Sequence, residues 1–73
     1  MSELPRLSGR ECVKALESVG FVQKRQVGSH IILRKDDPFA HRIAPDHKAL
    51  DRGTLRAIIR QAGLTVKTFK ALL

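Results

Sequence analysis

The chain has 73 residues, room for one domain and no more, and a fold of that size buries only about 60% of the surface its unfolded form exposes. Fourteen Lys and Arg against seven Asp and Glu leave a formal charge of +7, which favours a polyanionic partner, a nucleic acid or an acidic protein, through steering and counterion release. No apolar run approaches the roughly 20 residues of a membrane-spanning helix, Met1 to Arg10 lacks a hydrophobic signal core, and Cys12 is the only cysteine, so the chain reads as cytoplasmic and free of internal disulfides.

The lead from Met1 to Leu7 contains Pro5. Ser8 then has the character of an N-cap, and Glu11 three residues on completes a capping box. Cys12, Val13, Leu16 and Val19 recur at helical steps, predicting a helix over 9–19 with Gly20 as its stop. In that stripe Cys12 is a small buried hydrophobe.

Phe21 to Gln26 lacks a helical stripe, Val27-Gly28-Ser29 can turn the chain, and Ile31-Ile32-Leu33 is a compact apolar run with two β-branched isoleucines. Together they predict a hairpin. Side chains alternate along a strand. His30, Ile32 and Arg34 therefore share one face, and Ile31 and Leu33 the other.

Lys35-Asp36-Asp37-Pro38 reads as a turn, and 40–44 as a short third strand ended by Pro45. The segment 45–50 is a connector carrying His47 and Lys48. Asp51 caps a second helix running to about Ala62, with Leu55, Ile58, Ile59 and Ala62 as its apolar stripe and Gly63 at its end. Arg52, Arg56 and Arg60 line its polar side, a row equally readable as a solvated helix face. Thr65 caps a last short helix that returns Val66, Phe69, Leu72 and Leu73 to the core.

This element order implies a small α+β domain: a three-stranded antiparallel sheet with its helices packed on one face. The other face, bearing His30 and Arg34, is left to solvent or a partner. Histidine is the side chain whose ordinary pKa lies nearest neutrality. In so basic a chain, His30 at the start of a strand suggests proton transfer on an anionic substrate; an unremarkable surface role is the alternative. Base stacking has only Phe21, Phe39 and Phe69 to draw on, since the chain has no Trp or Tyr. The three histidines are too scattered, and too poor in carboxylate company, to make a metal site.

Taken in order, Leu4-Pro5-Arg6-Leu7-Ser8-Gly9, then Leu16, Gly20-Phe21 and Gly28-Ser29-His30, then Pro45-Asp46-His47-Lys48 and the run Gly53-Thr54-Leu55-Arg56-Ala57-Ile58-Ile59-Arg60-Gln61-Ala62-Gly63-Leu64 resemble the HicA-type (YcfA-like) mRNA interferases of toxin–antitoxin systems. The loop from Lys35 to Ala40, with its two aspartates, departs from that pattern. The resemblance implies a fold similar to double-stranded-RNA-binding domains, cleavage of mRNA without a cofactor, and inhibition by a cognate HicB-type antitoxin that masks the site. It also implies that His30 is the catalytic residue, with Gly28 and Ser29 as its motif neighbours.

Under that implication His30 is general base, or acid, in attack of a 2′-hydroxyl on the adjacent phosphate. Ser29 positions it or donates to the phosphate, and Gly28 lets the backbone approach. Arg34, with Lys24 or Arg25, holds phosphodiester charge. His47 is the candidate for a second proton carrier. The competing expectation is a non-catalytic RNA- or DNA-binding module that uses the same basic face.

Overall fold

The computed structural model describes residues 4–36 and 39–73. Ser8 opens α1 (Gly9–Glu17) with the expected box: its hydroxyl accepts from the Glu11 N–H at 3.1 Å, and the Glu11 carboxylate accepts from the Ser8 N–H at 2.9 Å. The bond from the Ser8 N–H first, and the Ser8 hydroxyl second, favour the ionised form and hold the Glu11 carboxyl below its ordinary value. Cys12, Val13, Ala15 and Leu16 face inward. Burial pushes the Cys12 thiol up to about 11, so it stays protonated and packs as a hydrophobe.

The helix stops two residues before the expected Val19. The Phe21 N–H returns five residues to the Leu16 carbonyl at 3.2 Å, closing α1 ahead of Gly20 at φ 103°. Val19 still packs against the core.

Three antiparallel strands follow: β1 (Val22–Val27), β2 (His30–Asp36) and β3 (Phe39–Pro45), in spatial order β1-β2-β3. Phe21, expected to open the first strand, lies just ahead of it as a buried core residue, and Val27 belongs to the strand rather than the turn. The expected turn over 35–38 also starts later, because Lys35 and Asp36 still pair with Ala40 and Phe39. Asp37 and Pro38 lie outside the described residues. β3 is correspondingly longer than the expected 40–44. It runs on to Pro45 opposite His30, where a missing N–H is tolerated because β3 is an edge strand.

Asp51 caps α2 (Arg52–Gln61), accepting from Gly53 and Thr54, and Leu55, Ile58 and Ile59 are buried. Thr65 caps α3 (Val66–Lys70), whose Phe69 is fully buried. Leu72 packs partly against the core, but Leu73 is 54% exposed and does not return to it as expected. The core already closes on Phe69.

The lead is more structural than its pattern suggests. Leu4 and Leu7 are buried, and the Leu7 carbonyl accepts from the Leu50 N–H at 2.7 Å, tying the lead to the connector before α2. Arg42, on the covered side of β3, reaches the Gln61 carbonyl at the end of α2 and the His41 carbonyl at 2.6 Å. It brings a cation to the negative end of the helix dipole.

Ile31, Leu33 and Ala44 are at most 1% exposed, so the helices cover one face of the sheet. The arrangement is the expected α+β domain and matches a double-stranded-RNA-binding-like fold.

Candidate active site on the open sheet face

A two-residue turn, Gly28-Ser29, joins β1 to β2. Gly28 has φ 58°, while Ser29 has an ordinary negative φ. A glycine in the first central position with a left-handed φ is the pattern of a type II′ turn, whose twist suits a tight hairpin. His30 is the first residue of β2 after this turn, exposed, and paired across to Val27 on one side and Pro45 on the other.

The open face is defined by the register. His30, Ile32 and Arg34 lie on it with their partners Ile43 and His41 from β3 and Val22 from β1. Between Gln23 and Arg25 the β1–β2 register shifts by one, leaving Lys24 without a cross-strand partner. Such a bulge changes which side chains face which way. Here it sets Arg25 opposite Ile32 on the open face and turns Gln26 toward the helices.

The sequence-derived candidates thus fall at different distances. Arg25, opposite a residue two positions along β2, stands near His30. Arg34 is four residues along the same strand, about 13 Å away at the usual rise, and its Nε is paired with Asp36 at 2.9 Å. His41, opposite Arg34, is equally remote. His47 lies two residues beyond Pro45, the partner of His30, at the same end of the sheet. Its side chain is exposed, and its carbonyl accepts from the Gly9 N–H at 2.8 Å.

Three residues behind the turn were not found from the sequence. The Asp46 N–H donates to the Ser29 carbonyl at 2.6 Å, extending the β2–β3 ladder into the turn. The Asp46 carboxylate accepts from Gln26 Nε2 at 2.9 Å and from an Arg10 guanidinium nitrogen at 3.0 Å, while Gln26 Nε2 also donates to the Gly28 carbonyl at 3.0 Å. Hydrogen bonds from Gln26 and Arg10 hold the Asp46 carboxyl below its ordinary 3.8, with the charges of Arg10 and His47 adding to the effect.

This clamp ties both turn carbonyls to α1 and to the end of β3. Arg10, Gln26 and Asp46 are 36 residues apart at the extremes, and no local pattern connects them. Gly9 completes the junction. A Cβ there would sit 1.8 Å from the Pro45 carbonyl oxygen, so only glycine lets α1 begin against the strand end.

Among the described residues no three His, Cys, Asp or Glu side chains gather as a metal-binding group, and no helix is long and apolar enough to cross a membrane. The Arg52, Arg56 and Arg60 row is exposed on α2, in the layer opposite His30.

The sequence model of a family described as "HicA toxin of bacterial toxin-antitoxin" matches residues 9–64 of the 73. No curated protein gives a significant match.

Proposed function

The chain belongs to the HicA toxin family of bacterial toxin–antitoxin systems, and from that premise we propose that it is a metal-independent endoribonuclease that cuts mRNA through His30. Membership makes it a toxin with a cognate antitoxin, and supports nuclease activity at the level of the family.

The observation that carries the reading is the position of His30. It is an exposed imidazole at the first residue of a strand, on a cation-bearing sheet face, behind a turn fixed by three side chains. His30 takes the proton of a 2′-hydroxyl as its oxygen attacks the neighbouring phosphorus. The bond from phosphorus to the 5′ oxygen then breaks, and that oxygen receives a proton. His47, at the same end of the sheet, is the second proton carrier. Each such group contributes roughly a hundred- to ten-thousandfold.

Arg25, with Lys24 beside it in the bulge, balances charge near the scissile phosphate. Arg34 serves a phosphate further along the strand, because about 13 Å of β2 separates it from His30. Gly28 allows the RNA backbone close to the turn, and the Ser29 hydroxyl orients the phosphate. The clamp of Arg10, Gln26 and Asp46 positions the turn. A HicB-type antitoxin inhibits the toxin by covering this face.

His30→Ala tests the assignment. Cleavage of mRNA and growth arrest should fall by at least a hundredfold with the thermal midpoint unchanged, as for a surface substitution. A fully toxic, nucleolytic variant would remove His30 from the mechanism. Wild-type protein that binds RNA and never cuts it, even during translation, would instead make the chain a binding module.

A further inference from the structure

Among the described residues Phe39 is the most exposed of the large apolar side chains, at 68%, whereas Phe21 and Phe69 are buried at 2% and 0%. It sits at the far end of the open face, opposite Asp36, six residues along β2 from His30 and so about 20 Å from it. The Arg34 guanidinium carbon lies 5.8 Å from the centre of its ring, within cation–π range. Asp36, which faces the pair, is bonded to Arg34 through Nε at 2.9 Å, which fixes the guanidinium over the ring. His41 flanks Arg34 from β3, and Ile32 and Ile43 form an aliphatic floor leading back to His30.

A single exposed phenylalanine is ordinary on a surface; what marks Phe39 is the company its ring keeps. The surroundings select the occupant. Arg25, Arg34, His30 and His41 share this face, and among the described residues its one carboxylate, Asp36, is already engaged by Arg34. Charge of that sign, beside an aromatic ring with a guanidinium laid over it, fits an unpaired nucleobase and its phosphate. Bases splayed from a single strand stack on aromatic rings and on Arg planes.

We propose that Phe39 and Arg34 form a stacking subsite for an unpaired base of a single-stranded RNA whose backbone runs along β2 and β3 to His30. The subsite deepens the ribonuclease reading and rests on it. It gives the enzyme a grip on its substrate some distance from the cut and a preference for single strands over duplexes.

The chain has no tryptophan, so Phe39→Trp supplies a single fluorophore at the subsite. The probe is a single-stranded RNA oligonucleotide, 2′-O-methylated throughout so that no 2′-hydroxyl can attack. Binding is then read without cleavage, whatever the role of His30. Addition of this strand should quench the indole, and the same sequence as a duplex should quench it far less. Phe39→Ala and Phe39→Leu should each weaken binding of the strand by roughly five- to a hundredfold, with Leu unable to rescue because it has bulk without a π face.

Unchanged affinity in both variants, or a Trp signal that responds to the antitoxin and not to RNA, would overturn the subsite. Either result leaves the His30 assignment standing. Conversely, retained cleavage in His30→Ala would sink that assignment while the quenching still tested the subsite.

Discussion

The two faces of the sheet are built by the same three strands and are put to opposite uses. On the covered face Ile31, Leu33 and Ala44 are essentially inaccessible. On the open face Ile43 is 49% exposed and Val27 54%, among His30, Arg25, Arg34 and His41. Adjacent residues of β2 therefore differ in kind: odd positions hold the domain together and even positions are offered to a partner. In a domain of this size few side chains can serve both ends, and period-two alternation separates the tasks at no cost in length.

The separation can be broken most sharply at His30. His30→Ala should cost activity at least a hundredfold and leave stability unchanged, measured by RNA cleavage and thermal melting of the same preparation. A parallel loss of stability would mean that the open face also carries the fold.

The next largest effect is on the other face. Leu33→Ala should destabilise by about 2–5 kcal/mol through lost burial and a residual cavity, read from denaturant unfolding. Ile43→Ala, an aliphatic truncation on the open face, should cost about 0.5 kcal/mol or a little more. Equal costs at the two positions would contradict the division.

At the junction of the faces, Gly9→Ala drives a Cβ into the Pro45 carbonyl oxygen. It should cost about 1–3 kcal/mol as the start of α1 shifts. Cleavage should fall as well, because the shift displaces Asp46 and His47, in an assay run well below the melting temperature.

The smallest effect belongs to the clamp. Asp46→Asn keeps the backbone bond to Ser29 and removes the charge that meets Arg10. It should lower kcat several-fold with KM unchanged, whereas a purely structural role would move only the melting temperature. The pH dependence has a definite sign. The folded Asp46 pKa lies below 3.8, so its contribution to stability is complete above that value and is lost as the pH falls through the lower, folded pKa. Acid unfolding curves of the Asn variant should therefore be flatter below pH 3.8 than those of the wild type.

Much of this was legible in the residues. The capping box at Ser8 and Glu11, the cap at Asp51 and the alternation through Ile31-Ile32-Leu33 are short-range signals. Each depends on atoms within a few residues, so sequence alone states them. Strand ends were less legible: Asp36 reads as a turn residue, yet cross-strand pairing with Phe39 keeps it in β2. The apolar character of Leu73 predicts a core residue, and only the packing of Phe69 shows that the core closes before it.

The elements, their order and the face on which His30 stands follow from propensity, capping and period-two alternation, which act locally, and the family follows from motifs taken in order along the chain. What surrounds that histidine depends on the folded chain. The bulge at Lys24 re-aims Arg25 and Gln26, the clamp joins residues 10, 26 and 46, and Phe39 alone of the three phenylalanines is left in the open. These are contacts between distant segments, fixed by how the strands register and how α1 abuts β3, and no spacing along the chain encodes them.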